Sequence, residues 1–571
     1  MALLALPNQD ILLEVFQHVG RQRQSSETHD DEPCHNDAET QTLARCARVC
    51  RAFREPSLRV LWEYLPSVLP LLQLLAPHFR KLEHGREGDK DWGEGHEYDT
   101  YVLTDTPNED QWTRFREYAA YVRVLHETYN PGLSCYPNAY NDDEDPEPLG
   151  RIISSSVWFH LARLAGTEPM LPTLREVRWL MRGTDQVVLL DVLAGPCLRK
   201  LSAHFIPTHG VESSEEEYAL TFPLLLRNIA RLSPTLQELE ISSCASLSGI
   251  SGMPKLRILT ILGVISADAL RDARLDTLQE LESLTIALTP PSETATHSLP
   301  LELLPLKTLA LKYDCSSRSE TRHYYVPLSA SNLHSLRIDP GICSTTTGCR
   351  KLCAELVQRF PAAHSILLDL QRPSKGEARF QTPFEVLSAL EPLFGISSVR
   401  EFSLKCSADV MAFSVADMRA IAEAWPHLST LSVDLGRWSV WGHQGSSLGV
   451  SALVDMARRG SGLRVLHLDH LRITLDDLKG YSGRRARTNP LPCSSSIEVL
   501  TVDHAETDCG QYSDSEGPRL SKCAMLVAKL FPNIDTKKSR TAARHPLREE
   551  PVWNKVLEHV DLVLPRKKIV L

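Results

Sequence analysis

The 571-residue chain has fourteen cysteines, yet it contains no Cys-x-x-Cys pair and no Asn-x-Ser/Thr sequon. A disulfide framework is therefore not expected. Scattered thiols suit a reducing compartment, cytoplasmic or nuclear, where cysteine behaves as a small hydrophobe. Cys46/Cys50 and Cys349/Cys353 lie four apart, the spacing of one helical face, which reads as core packing rather than a zinc site. No apolar run is long enough to cross a bilayer: the longest, Leu65–Ala76, carries Pro66 and Pro70 inside it. Met1–Leu6 has no basic flank and runs at once into Pro7, Asn8, Gln9 and Asp10, unlike a secretory signal. A formal charge of −10 offers no basic excess, so neither nucleic acid nor a membrane is an expected partner.

Catalytic signatures are equally sparse. The chain has no P-loop, no His-Glu-x-x-His and no Rossmann glycine fingerprint. Its Gly-x-Ser-x-Gly match, Gly445-Ser-Ser447-Leu-Gly449, is separated by loop-like residues from the nearest strand pattern at Leu431–Val433. A nucleophile elbow needs a strand running directly into it. The serines read instead as caps for a helix beginning near Gly449. No enzyme chemistry, cofactor or metal is expected.

What is present is an ordinary folded composition, 42% hydrophobic and 23% charged, over a length that suits several domains or one long repeat array. Near the start, Ile11, Leu12, Val15, Phe16 and Val19 fall on one stripe of a helix that follows Pro7. Residues 20–41 are polar and acidic, and read as a flexible insert. Leu43, Cys46, Ala47, Cys50 and Phe53 then mark a second helix. Pro56 is expected to break it, and Leu58, Leu61, Trp62 and Leu65 to begin a third. Residues 66–170 read as a connector with acidic loops at Glu83–Asp99 and Asn141–Pro146, and with a helix over Gln111–Tyr129 between them.

From about residue 171 a Leu-x-x-Leu-x-Leu pattern returns every 20 to 38 residues. It reads Leu174/Val177/Trp179, Leu236/Leu239/Ile241, Leu256/Leu259/Ile261, Leu281/Leu284/Ile286 and Leu306/Leu309/Leu311. It continues as Leu333/Leu336/Ile338, Val399/Phe402/Leu404, Leu428/Leu431/Val433, Leu463/Leu466/Leu468 and Ile497/Leu500/Val502, with weaker copies at Leu198–Leu201 and Ile366–Leu368. Helical patterns at Phe222–Leu232, Arg350–Phe360, Val415–Trp425 and Val450–Arg458 lie between copies. No single strand-plus-return unit can bury its apolar face alone, so the units must stack. The reading is α/β: a leucine-rich solenoid with a curved parallel sheet over 171–535, closed by a cap or tail over 536–571.

The N-terminal segments resemble the F-box motif. Leu6-Pro7 precedes the helix with Ile11, Leu12, Val15 and Phe16; Leu43-Ala-Arg-Cys-Ala-Arg-Val-Cys-Arg-Ala-Phe53 follows; and Arg54-Glu-Pro-Ser-Leu58 with Leu61-Trp62 looks like the form common in fungal members. The insert at 20–41 is longer than the family's usual link. The resemblance implies a three-helix F-box over 1–65 that binds a Skp-type adaptor and, through it, a cullin–RING ubiquitin ligase, while the repeats choose a protein substrate. It implies Leu6, Pro7, Ile11, Leu12, Val15, Phe16, Val49, Cys50, Phe53 and Trp62 as adaptor-facing residues. The alternative is a leucine-rich scaffold or inhibitor with no part in ubiquitination.

In the repeats, residues between the apolar positions point away from the core. They include Asp434, His467, Asp469 and Asp503, the candidate substrate-binding residues. Aspartate recurs just after the last apolar position, at Asp339, Asp369, Asp434, Asp469 and Asp503. Two readings stand: caps of the turn leaving each strand, or an acidic ridge for a basic partner.

Overall fold

The computed structural model describes residues 9–21, 37–82, 99–127, 151–181, 187–205, 213–242, 246–289, 300–313, 326–340, 346–370, 384–406, 411–434, 448–459, 462–474, 478, 494, 496–507, 516–541 and 552–564. The fold is α/β, with long ranks of parallel strands and interspersed helices. The chain divides into two compact units, residues 1–263 with 269–281, and residues 264–268 with 282–571.

The first unit opens with helices α1 (Gln9–Arg21), α2 (Asp37–Val49) and α3 (Arg51–Glu63). Phe16, Leu43 and Val60 form their shared core, and Leu12, Leu13, Val19, Cys46, Phe53 and Leu61 pack around it. The Phe16 and Phe53 rings meet edge to face at 5.5 Å. Gly20 lets α1 approach α3 closely, since a Cβ there would stand 2.8 Å from Val60 Cγ1.

The break between α2 and α3 differs from the expected one. Cys50 adopts an extended conformation (φ −158, ψ 166) and separates the helices, while Pro56 lies inside α3 and is buried. One missing N–H removes one helical bond, and burial of Pro56, Ser57 and Val60 holds the helix through it. Phe53 therefore belongs to the third helix. The second begins at Asp37, within the stretch read as an insert.

The first unit continues with parallel strands β1 (Tyr64–Leu65), β2 (Val124–Glu127), β3 (Glu176–Met181), β4 (Lys200–Phe205), β5 (Glu238–Ile241) and β6 (Ile258–Ile265). The ladder thus starts well ahead of residue 171, with β1 at the end of the segment read as the third N-terminal helix and β2 inside the segment read as a connector. The helix expected over Gln111–Tyr129 stops at Ala119, and β2 follows. That helix begins with a capping box: Asn108 Oδ1 accepts from Gln111 N and Gln111 Oε1 accepts from Asn108 N, both at 2.9 Å. A small side sheet joins Phe79–Leu82, Asp99–Leu103 and Arg151–Ile153. Most of both acidic loops lies outside the described residues.

The second unit carries β7 (Ser283–Leu288), β8 (Thr308–Tyr313), β9 (Ser335–Asp339), β10 (Ser365–Leu370), β11 (Glu401–Cys406), β12 (Thr430–Asp434), β13 (Val465–Ile473) and β14 (Val499–Thr507), again paired in parallel in this order. Every apolar triplet marked in the sequence coincides with one of these strands or with β3–β6. Helices return at Ser213–Leu232 in the first unit, and at Thr346–Arg359, Val415–Ala424, Val450–Arg459 and Glu516–Leu530 in the second. The helix at Val450 starts one residue past Gly449; Ser447 lies outside the described residues.

One backbone device recurs in both units. A carbonyl just before most of the strands accepts two N–H groups from the next: Arg123 O takes Arg175 N and Glu176 N, and Arg400 O takes Ser429 N and Thr430 N. The apolar residues of each triplet then stack in register, as Leu309, Leu336, Ile366, Phe402, Leu431, Leu466 and Leu500 do in the second unit. Each such side chain, 1% exposed or less, contributes about 1.5–3 kcal/mol by burial.

The segment after residue 535 closes the rank at β14. Ser539 Oγ accepts from Leu500 N at 3.1 Å, and Asp535 N donates to Glu498 O at 2.7 Å. Trp553, 1% exposed, reaches Leu500 O with its indole N–H at 3.4 Å. Helices Thr536–Thr541 and Val552–Val563 thereby occupy an edge that would otherwise present open backbone groups.

Alternation along these strands predicts unequal effects of neighbouring substitutions. Leu336→Ala removes a side chain 1% exposed and is expected to lower the second unit's stability by about 2–5 kcal/mol. Arg337→Ala, on the exposed face, is expected to stay within roughly 0.5 kcal/mol of the parent. Urea unfolding of both variants checks this; equal losses would contradict the assigned faces.

Candidate functional site

Three surfaces carry chemistry: the N-terminal helices, and the outward strand faces of each unit. On the helices, the candidate adaptor residues divide sharply. Phe16, at 5% exposure, is core, and Leu12 and Phe53 are half-buried beside it. Trp62 packs on Tyr118, ring centroids 4.7 Å apart. Ile11 (57%), Val15 (51%), Val49 (67%) and Cys50 remain exposed. Ile11 and Val15 are one helical turn apart and share a face of α1. Leu6 and Pro7 lie outside the described residues. The helical stripe read from the sequence therefore serves two purposes. Its inner edge builds the three-helix core, and its outer edge faces solvent.

In the first unit, the outward strand face is a connected polar network. Glu176 Oε1 sits 3.3 Å from His126 Nε2, 3.2 Å from Arg178 Nε and 3.5 Å from Lys200 Nζ. Lys200 Nζ also lies 3.5 Å from Glu238 Oε2, and Tyr64 Oη 3.2 Å from His126 Nδ1. The hydrogen bond with His126, aided by the Lys200, His126 and Arg178 charges, outweighs burial and holds the Glu176 carboxyl down at about 2.

Two side-chain trios look superficially like hydrolytic triads. Ser202 Oγ meets His204 Nε2 at 2.7 Å, but Glu240 approaches the same nitrogen at 3.6 Å, leaving no through-ring relay. Burial pushes the His204 pKa down, against the opposing pull of Glu240. In the second unit His467 uses opposite nitrogens, Nδ1 toward Thr501 Oγ1 and Nε2 3.3 Å from Asp503 Oδ2. Thr501, however, is 1% exposed and presents no nucleophile to solvent. Among the described residues, no group of three or more His, Cys, Asp or Glu is arranged to hold a metal ion.

The second unit's outward face brings Asp434, His467, Asp469 and Asp503 onto neighbouring strands. Register pairs Lys312 with Asp339, and Asp369 with Lys405 and then Asp434. Asp469 and Asp503 each follow a paired apolar residue, Leu468 and Val502. A parallel row runs Arg337, Leu367, Ser403, Ser432, His467, Thr501. Burial foremost, then the like charges of Asp339 and Asp434, push the Asp369 carboxyl up, with Lys405 and Arg337 opposing.

This placement corrects the turn-capping reading for two aspartates. Asp469 and Asp503 lie inside β13 and β14, which continue past them, while Asp369 stands next to the last residue of β10. Asp339 and Asp434 do end their strands. The Thr501–His467–Asp503 contact was not foreseen, although i, i+2 alternation on two strands in register would have suggested it.

Glu176 yields a pH prediction. Its depressed carboxyl contributes stability that is fully present above its ordinary value of 4.5 and is lost as pH falls toward about 2. Glu176→Gln is expected to destabilise the first unit by roughly 1–3 kcal/mol at pH 7. That deficit should shrink between pH 4.5 and 3 as the parent loses its own advantage. Urea midpoints of both proteins across this range test it; a deficit independent of pH would contradict the assigned network.

No family model matches the sequence, and a search of curated proteins returns no significant match.

Proposed function

We propose that this chain is the substrate receptor of an SCF-type ubiquitin ligase. The N-terminal helices dock a Skp-type adaptor, and the stacked strand units, a leucine-rich solenoid, hold the protein to be modified. In this reading the chain performs no chemistry itself and works in the cytosol or nucleus, where a cullin–RING ligase supplies ubiquitin transfer.

The observation that carries the reading is the exposed aliphatic edge of a helical cluster whose own core is already filled. Phe16, Leu43 and Val60 complete the interior, yet Ile11, Val15 and Val49 stay more than half exposed. Each would contribute about 1.5–3 kcal/mol gross on burial. Association costs about 4–15 kcal/mol, so an interface needs further contacts. The resemblance assigns these to Leu6, Pro7 and Cys50.

Ile11→Asp with Val15→Asp is expected to abolish capture of a purified Skp-type adaptor while leaving helical circular dichroism unchanged. Phe16→Asp, by contrast, should unfold the cluster, since it places a charge in the core. Adaptor capture that survives the Ile11/Val15 double change, or that never occurs with the parent chain, removes the basis for this function. A reconstituted ubiquitination assay on captured proteins separates a receptor from a scaffold that binds the adaptor without promoting transfer.

A further inference from the structure

Three helices of the second unit lead on through one repeated turn. Phe360, Trp425 and Phe531 each stand just past a helix and just before a proline, Pro361, Pro426 and Pro532. The backbone is the same at all three. Phe360 N donates to Leu356 O, Trp425 N to Ile421 O and Phe531 N to Val527 O, at 2.8, 3.1 and 2.8 Å. Each aromatic residue's carbonyl then accepts from the N–H three residues on, in Ala363, Leu428 and Ile534. The aromatic side chain plugs the junction and is at most 1% exposed. Two of these plugs are phenylalanine, so packing there requires no polar atom.

Trp425 departs from that pattern. Its ring packs against Phe394 and Phe402, centroids 5.3 and 4.8 Å away, yet its indole Nε1 is buried with no hydrogen-bond partner. Burying a donor without an acceptor is unfavourable. Trp553, equally enclosed, meets the same need through Leu500 O. Trp425 also borders a cavity of about 300 Å³. In the sequence, the matching position one repeat on, three residues ahead of Leu463, is Gly460, which has no ring with which to plug a junction.

The cavity is lined from helix Val415–Ala424, helix Val450–Arg459 and the segments that follow them, with apolar walls from Trp425, Leu428, Leu431, Met456 and Leu463. An engineered apolar cavity of about 150 Å³ admits benzene, so this one has room for a ring with a substituent. The charged side chains of the lining, Glu423 and Arg459, pair with each other across the two helices. Neither therefore calls for a charge on an occupant. The polar demand left over is the acceptor that the Trp425 indole lacks.

We propose that this cavity is a small-molecule site, separate from the adaptor and target surfaces. Its ligand is an uncharged aromatic compound carrying a carbonyl or similar acceptor. The acceptor takes the Trp425 N–H, and the ring lies against Leu431, Met456 and Leu463.

The test uses the full-length chain and fluorine NMR titrations of two probes of matching shape. One is para-fluoroacetophenone, which carries a carbonyl acceptor; the other is para-fluoroethylbenzene, which carries none. The ketone is expected to bind about threefold to tenfold more tightly, the worth of one hydrogen bond. Trp425→Phe should remove that preference at the parental melting temperature, since Phe360 and Phe531 fill the same place in their repeats. Ala422→Leu, on the cavity wall, should occupy part of the space and weaken both probes about tenfold. A parent that binds neither probe, or both equally, overturns the proposal. So does a Trp425→Phe variant that keeps the preference, or an Ala422→Leu variant that leaves both affinities unchanged. Should Trp425→Phe fail to fold, the parent's preference and the Ala422→Leu result decide together. Adaptor capture plays no part in this readout, so the site stands or falls apart from the receptor reading.

Discussion

Everything in this protein depends on one constraint: each strand of the rank exposes an apolar side that only the next strand unit can cover. The triplets are spaced so that their side chains turn inward together, and parallel register places them in files such as Leu309, Leu336, Ile366 and Phe402. The backbone reinforces this through a carbonyl before most strands that receives two N–H groups from its successor. A rank built this way must end somewhere. At β14 the ending is chemical rather than abrupt, with Ser539, Asp535 and Trp553 taking the positions another strand would have filled.

Because the inward positions are committed to packing, the alternate positions are left to vary in chemistry. The two units use that latitude differently. The first assembles a self-compensating network around Glu176, in which nearly every charge finds an opposite one nearby. The second gathers aspartates at matching positions on neighbouring strands, with Lys405 in the same row and His467 beside Asp503. Apolar packing and polar chemistry thus occupy opposite faces of the same strands.

The N-terminal helices obey the same logic in miniature. A single amphipathic stripe on α1 is wider than its own cluster needs. Phe16 and Leu12 are drawn inward, whereas Ile11 and Val15 remain outside. Substitutions along that stripe are therefore not interchangeable, and treating all its members as one binding surface would confuse unfolding with loss of docking.

Periodicity alone revealed the strand triplets from Leu174 to Val502 and the helices that return between them, because a two-residue and a 3.6-residue repeat leave direct marks on an apolar pattern. It failed where the marks were short or contradicted by neighbours. The two-residue β1 and four-residue β2 carry too little pattern to be distinguished from the helices expected across them, and Pro56 suggested a helix end that tertiary burial overrode. The aspartates show the limit most clearly. Their recurrence is visible in the residues, but whether they cap turns or share a face depends on strand length and register, which are properties of paired strands. Likewise, the division of Phe16 from Ile11 and Val15 could not be read from a stripe they all share. Only packing against Leu43 and Val60 determines which side chains are enclosed and which are left facing water.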